Sequence, residues 1–156
     1  MRRSKYDKYR DIYEQLMSKF QNVSDSKLKD LLASWETSFA EMDEWLADPQ
    51  KPVTKSMLAT GLEQGLMDTY YLISELSSEY RSIASKAFVD ACSEYDQGFL
   101  DKIDDRCNKI LSKGKIRNES EWHLVRSKVD ELTLQKDEAN LEQYQKLLDD
   151  FEFKQK

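Results

Sequence analysis

Apolar residues recur every three or four positions along most of the chain, which is the spacing of one face of an α-helix. The pattern predicts a first helix from Ser4 to Gln21 and a second from the polar 24–26 segment to about Ala47. Their apolar seams are Tyr6, Tyr9, Tyr13, Leu16, Phe20 and Val23, and Leu28, Leu32, Trp35, Phe39, Met42 and Leu46. Two seams of equal length joined by a short polar turn predict an antiparallel αα-hairpin. We expect the three tyrosines to be partly buried, with their hydroxyls at the rim of the seam.

A third helix is predicted to begin near Thr54, after the loop that contains Pro49 and Pro52. Its apolar positions are Leu58, Leu62, Leu66, Tyr70, Ile73 and Leu76. Gly61 and Gly65 lie one turn apart in this helix, where each costs roughly 1 kcal/mol relative to alanine. They either allow another helix to approach closely or leave room for a ligand.

The helical phase then continues from Tyr80 to Ile110, which predicts a helix of about thirty residues. The pair Ser77-Ser78 either separates this helix from the third or lies inside one longer helix. Gly98 is a position where the long helix can kink.

The best-defined local signal is the turn between Lys109 and Trp122. Gly114 favours the left-handed conformation that closes a helix, and Asn118 is a good N-cap with Glu121 three residues later. A fifth helix is predicted from Glu119 to about Leu132, and a sixth from about Asp137 to Phe153.

These elements predict an all-α protein: an antiparallel bundle of about five to six helices with a long central helix and a C-terminal αα-hairpin. Runs rich in β-branched residues, which are typical of strands, are absent from the sequence. We expect one domain, 1–156, with an N-terminal hairpin (1–48) and the remaining helices (54–156) as its sub-units.

The net charge of −6 disfavours generic binding to nucleic acid or to an anionic membrane, because both depend on an excess of cations. Residues 30–50 carry six acidic side chains and no basic one. Most of them lie in the C-terminal half of the second helix, where negative charge interacts unfavourably with the helix dipole. The sequence shows no nearby cations that would offset this cost. We therefore propose a protein-contacting surface made of Glu36, Glu41, Asp43, Glu44, Trp45 and Asp48.

Several kinds of chemistry are disfavoured by what the sequence lacks. His123 is the single histidine, and no P-loop, dinucleotide fingerprint or nucleophile elbow occurs. Cys92 and Cys107 follow the apolar phase, which favours buried free thiols over a disulfide. We predict no catalytic residues, no metal and no cofactor, although carboxylates on different helices can form a site that spacing does not reveal. Adjacent acids such as Asp104-Asp105 and Asp149-Asp150 indicate solvated surface. Glu119 and His123, four residues apart, indicate a surface pair or a rim histidine rather than a metal ligand or general base.

No apolar run approaches the length of a membrane span, and the N-terminus leads into a charged helix, so we expect a cytoplasmic protein without membrane contact. The segment Ile110–Trp122, Leu124-Val125 and the later 147–152 stretch resemble the C-terminal segment of small bacterial proteins without an assigned activity. This resemblance covers about a third of the chain. It implies a bacterial or phage source and carries no site residues.

The leading hypothesis is a non-enzymatic protein-binding module, such as an immunity protein or antitoxin-like inhibitor that binds a basic toxin through the acidic helix face. The alternative is a binder of nucleic acid or phosphate ligands. Its basic residues are Lys109, Lys113, Lys115, Arg117 and Arg126 in the helix–turn–helix, with Arg2, Arg3, Lys5, Lys8 and Arg10 as a second cluster. A third hypothesis is a ligand pocket near Gly61 and Gly65. The sequence predicts no oligomeric state.

Overall fold

The computed structural model describes residues 3–154, so Arg2 of the N-terminal basic cluster lies outside the described residues. Within them the chain forms seven helices: α1 (Lys5–Phe20), α2 (Ser26–Ala47), α3 (Lys55–Ile73), α4 (Ser78–Tyr95), α5 (Gln97–Lys113), α6 (Glu119–Gln135) and α7 (Glu138–Lys154). The all-α prediction is confirmed. The chain divides into two compact units, Met1–Met67 and Asp68–Lys156, and the division falls within α3. That the chain is a single domain stays a prediction.

In the first unit, α1 and α2 form the predicted antiparallel hairpin. Ser4 and Asp25 cap the two helices, each accepting a hydrogen bond from the backbone N–H three residues later. Phe20 stacks on Trp35 near the turn, while Tyr13 meets Phe39 further along, so the helices run in opposite directions. The whole predicted α1 seam is buried.

The tyrosines of α1 are more buried than the sequence analysis expected. Tyr9 and Tyr13 are 1% and 2% exposed, and their hydroxyls point inward rather than to the rim. Tyr13 Oη donates to the Leu62 carbonyl of α3 at 2.7 Å, and Tyr9 Oη donates to Glu63 Oε2 at 3.1 Å. A buried hydroxyl without a hydrogen-bond partner would destabilise the fold. Because both hydroxyls bond groups of α3, these tyrosines are buried without that cost.

Of the two glycines in α3, only Gly65 lies in a close packing contact. A Cβ at Gly65 would clash with Tyr13 Oη, whereas a Cβ at Gly61 would meet nothing within 4 Å. The close-packing interpretation therefore holds for Gly65. Gly61 is exposed and keeps only its cost in helix propensity.

In the second unit, consecutive helices α4 to α7 run in alternating directions. Phe88 of α4 meets Phe99 of α5 beyond a tight turn, with ring centroids 6.1 Å apart. Asp104 of α5 bonds Lys128 of α6, and Cys107 lies against the Leu124 carbonyl. These pairs place α5 and α6 antiparallel.

The helix count of five to six and the long central helix are corrected by the structure. The predicted thirty-residue helix is two helices, α4 and α5, separated at Asp96, and Ser77-Ser78 does lie at a helix boundary. The spacing of apolar residues by three or four positions continues across Asp96, because α4 and α5 both bury residues at that spacing. Asp96 leaves helical geometry at φ −156° and ψ 83°, two residues before Gly98, where the kink was expected. Ile83 faces solvent (53% exposed), because α4 buries the neighbouring phase that contains Ala84 and Phe88.

The predicted turn and the C-terminal hairpin are confirmed. Gly114 closes α5 in the left-handed conformation at φ 74°, and Asn118 accepts from the Glu121 N–H at 2.9 Å. Trp122 Nε1 at the start of α6 donates to Glu152 near the end of α7 at 3.2 Å. This contact shows that α6 and α7 are antiparallel.

The two glycines of α3 give opposite predictions for the same substitution. We expect Gly61→Ala to raise the free energy of unfolding by up to about 1 kcal/mol, because alanine restricts the unfolded chain and favours helix. We expect Gly65→Ala to lower it by about 1–3 kcal/mol, because the buried Tyr13 hydroxyl has no room to retreat. Urea unfolding followed by circular dichroism measures both, and equal effects would contradict the assignment.

Candidate functional site

The predicted acidic surface divides into two strips on α2. Glu41, Glu44 and Asp48 follow one another at intervals of three and four residues, with Trp45 four residues after Glu41, so these side chains are neighbours. We call these four residues the outer acidic patch. Its three carboxylate residues are exposed and Trp45 is half-buried.

The remaining two residues of the predicted surface form the other strip. Glu36 and Asp43 are two turns apart, and both are exposed. Asp43 is bound within the unit, because Arg10 Nη1 of α1 donates to its Oδ1 at 3.0 Å while the guanidinium lies 4.3 Å from the centre of the Phe39 ring. The structure therefore places Asp43 at a flank of the α1–α2 contact, while Glu36 lies exposed two turns earlier in α2.

The acidic end of α2 has a compensation that the sequence did not show. Because α2 is antiparallel to α1, its C-terminal end lies beside the N-terminal part of α1, as the Arg10–Asp43 pair shows. The start of α3 lies at the same end, where Lys55 bonds Asp7 of α1 at 3.4 Å. Two positive helix N-termini and Arg10 thus offset part of the cost of the acids at the C-terminus of α2.

The carboxylates of the outer acidic patch still repel one another. Like charges three or four residues apart in a helix cost roughly 0.2–0.5 kcal/mol for each pair. The last turn of α2 contains no basic residue to screen them. Asp48 has one local role, since its Oδ1 accepts from the Gln50 N–H at 2.9 Å in the loop. A cationic partner would relieve this repulsion.

Some basic residues of the alternative phosphate-binding site already bond other groups of the protein. Lys109, Lys113 and Lys115 are exposed at the end of α5 and in the following loop. Arg117 bonds Glu121 through its Nη2 at 3.4 Å, and Arg126 Nε donates to the Ser74 carbonyl at 3.0 Å. The N-terminal cluster is similarly engaged, since Arg3 pairs with Asp11 and Arg10 with Asp43.

His123 takes part in a contact that the sequence analysis missed. Its Nδ1 lies 2.8 Å from Ser74 Oγ, which itself donates to the Tyr71 carbonyl at 2.6 Å. The Ser74 hydroxyl therefore accepts from an Nδ1–H. His123 Nε2 faces two carboxylates, Glu75 at 3.7 Å and Glu119 at 3.9 Å, so the predicted pair with Glu119 exists. Ser74 is only 2% exposed, which places its hydroxyl away from any substrate in solvent.

This contact completes the C-terminal end of α3. Carbonyls in the last turn of a helix lack partners within the helix. Here Ser127 Oγ donates to the Tyr70 carbonyl at 3.0 Å, Ser74 Oγ donates to the Tyr71 carbonyl, and Arg126 Nε donates to the Ser74 carbonyl just beyond the helix. The polar face of α6 thus caps α3, and the serine–histidine pair is explained by capping rather than by catalysis.

A second cluster missed by the sequence analysis lies around Lys128. Its ammonium group bonds Asp104 at 2.5 Å and Glu131 at 3.6 Å, and its side chain is 12% exposed. Asp104 was expected on solvated surface, and its side chain is 42% exposed while it also bonds Lys128. The spacing of adjacent acids does not reveal a partner twenty-four residues away. Burial raises the pKa of Glu131, and Lys128 only partly opposes this shift.

The cysteines are free and buried, as predicted. Burial raises the pKa of Cys107 to about 12 and also raises the pKa of Cys92. Because the thiolate is the reactive form, neither thiol is suited to act as a nucleophile near neutral pH.

No group of three or more metal-ligating side chains with suitable geometry occurs among residues 3–154. In the same part of the chain, no helix is both long enough and apolar enough to cross a membrane. No protein-family model matches the chain, and comparisons with curated proteins and with solved structures gave no significant match.

The raised pKa of Glu131 predicts a pH dependence of stability. The folded protein holds the Glu131 proton at a higher pH than the unfolded chain, whose carboxyl titrates near 4.5. The contribution of this group is therefore fully present below the unfolded pKa and is lost as the pH rises through the folded pKa. We expect wild type to gain stability relative to Glu131→Gln as the pH falls from 7.5 to 5.

Urea unfolding at several pH values measures this difference. The control Glu142→Gln makes the same chemical change at an exposed position of α7, where no burial penalises the charge. A constant difference between wild type and Glu131→Gln across the range would contradict the prediction.

Proposed function

We propose that this protein is a non-enzymatic protein-binding module that presents the outer acidic patch of α2 to a basic partner. The observation that carries the proposal is the exposure of Glu41, Glu44 and the C-cap residue Asp48 at the end of α2, whose last eighteen residues contain no cation. Mutual repulsion of these carboxylates falls when a cationic surface approaches. Their field also steers such a partner during encounter.

Trp45 supports a protein partner over a small cation. A half-buried tryptophan beside the carboxylates supplies apolar area at the edge of a charged surface. Tryptophan is enriched among the residues that dominate the binding energy of protein interfaces. An acidic rim around an aromatic anchor fits a basic macromolecule.

Within this proposal, the finer assignment is an immunity protein or antitoxin-like inhibitor in a bacterial cytoplasm. Toxins that attack nucleic acid carry basic surfaces that bind phosphates. An acidic protein that covers such a surface competes directly with the substrate. The absence of reactive thiols in the described interior is in keeping with a protein that acts by binding.

The alternative, binding of nucleic acid or phosphate ligands at the α5–α6 turn, has less support. Two of its five basic residues, Arg117 and Arg126, already bond groups of the protein. The lysines also border the negative end of the α5 dipole, which neutralises part of their charge.

The proposal predicts that charge reversal on the patch abolishes partner binding. Tagged wild type and the variant Glu41→Lys/Glu44→Lys are used to capture partners from the native host, and the captured protein is then purified and titrated. We expect the variant to weaken the affinity at least tenfold, which is about 1.4 kcal/mol. We also expect the wild-type association rate to fall as salt rises.

The matched control is Glu142→Lys/Asp149→Lys, which makes the same change in net charge at exposed positions of α7. It should bind as wild type does. Identical partners and affinities for all three proteins would reject the outer acidic patch. Oligonucleotide binding at low salt that disappears in Lys113→Gln/Lys115→Gln would favour the alternative instead.

A further inference from the structure

A cleft of about 420 Å³ opens between α1 and α3 within the first unit, and neither the acidic patch nor the basic turn includes it. Its floor is formed by Tyr6, Tyr9 and Ala59, which are all buried. The Tyr9–Glu63 hydrogen bond closes its inner end. A volume of this size lies within the range of small-molecule sites in proteins.

The mouth of the cleft is cationic. Lys5 of α1 and Lys55 of α3 both line it, together with Ser56 and Thr60, and the Thr60 hydroxyl already donates to the Ser56 carbonyl at 3.4 Å. Both helices begin here, so their N-terminal dipoles add to the positive potential. The cleft thus combines two ammonium groups, the Ser56 hydroxyl and two helix starts, which together favour an anionic group.

Lys55 is free to change partners. Its side chain is 55% exposed, and its bond to Asp7 is long at 3.4 Å. An exposed pair of this kind contributes little to stability, so exchanging it for a ligand costs little. Glu63 is the one carboxylate among the described lining residues, and it already accepts from the Tyr9 hydroxyl deep in the cleft.

The residues at the floor of the cleft favour a ligand that also has an apolar part. The rings of Tyr6 and Tyr9 and the methyl group of Ala59 are apolar, and both phenol hydroxyls are already hydrogen-bonded, that of Tyr6 with Arg10 and that of Tyr9 with Glu63. A bare inorganic ion would leave the apolar part of the cleft lining in contact with water. A planar ring covers it while its charged group remains at the mouth.

We propose that this cleft binds a small aromatic anion, with a phosphate or carboxylate held between Lys5 and Lys55 and its ring against Tyr6 and Ala59. This site is independent of the proposed partner surface on α2. It gives the ligand-pocket hypothesis a defined place, on the face of α3 that carries Thr60 rather than at Gly65, which packs against Tyr13.

The test is a titration of the ¹⁵N-labelled full chain, followed by amide chemical shifts. The probes are phenyl phosphate and phenylacetate, with phenol and inorganic phosphate as probes that lack either the anion or the ring. We expect saturable shifts at residues 4–9 and 55–63 with one or both aromatic anions, and the more effective anion identifies the charged group. Phenol and inorganic phosphate should bind at least tenfold more weakly.

Two variants separate the site from general charge effects. Lys5→Gln/Lys55→Gln should raise the dissociation constant at least tenfold, and Ser56→Phe should block the cleft without changing any charge. The control Lys113→Gln/Lys115→Gln removes the same charge elsewhere and should leave binding unchanged. Circular dichroism verifies that each variant is folded.

The proposal is overturned if neither aromatic anion gives saturable shifts below about 10 mM. It is also overturned if the shifts lie at the α5–α6 turn, or if binding survives in both cleft variants. Because these measurements use no protein partner, their failure leaves the partner-binding proposal intact.

Discussion

The first unit depends on the placement of one side chain, Tyr13. Its ring meets Trp35 and Phe39 of α2 edge to face, with centroids 4.7 and 5.2 Å away. Its hydroxyl donates to the Leu62 carbonyl of α3 and occupies the space that Gly65 leaves open. A single buried phenol therefore holds α1 against both other helices. This arrangement sets α1 parallel to α3, and it places their positive ends beside the acidic end of α2.

The second unit is organised around the polar side of α6 rather than its apolar seam alone. Ser127 and Arg126 satisfy carbonyls at the end of α3, where no glycine closes the helix. Lys128 joins α6 to Asp104 of α5. Buried polar contacts of this kind are costly unless they are complete, so they define the register between helices more sharply than apolar contacts do.

The sequence predicted what local physics determines and missed what distant contacts determine. The buried seam of α1, the left-handed Gly114 and the Asn118 cap followed from spacing and backbone chemistry. The break at Asp96 did not, because the apolar period continues through it. The roles of Ser74 and Asp104 depend on partners 49 and 24 residues away, which no spacing rule connects. The sequence also did not show that the starts of α1 and α3 lie beside the acidic end of α2, where their positive dipoles offset part of its negative charge.

The most direct test of this account is a double-mutant cycle between Tyr13→Phe and Gly65→Ala, measured by urea unfolding. Removing the hydroxyl alone should cost about 1 kcal/mol. In that background the ring carbon is 3.5 Å from a Cβ at position 65, an ordinary contact, so Gly65→Ala should become neutral or stabilising. The account predicts a coupling of about 1–3 kcal/mol between the two positions. Additive effects would show that the Tyr13 hydroxyl does not lie against Gly65 and would contradict the packing of α1 on α3.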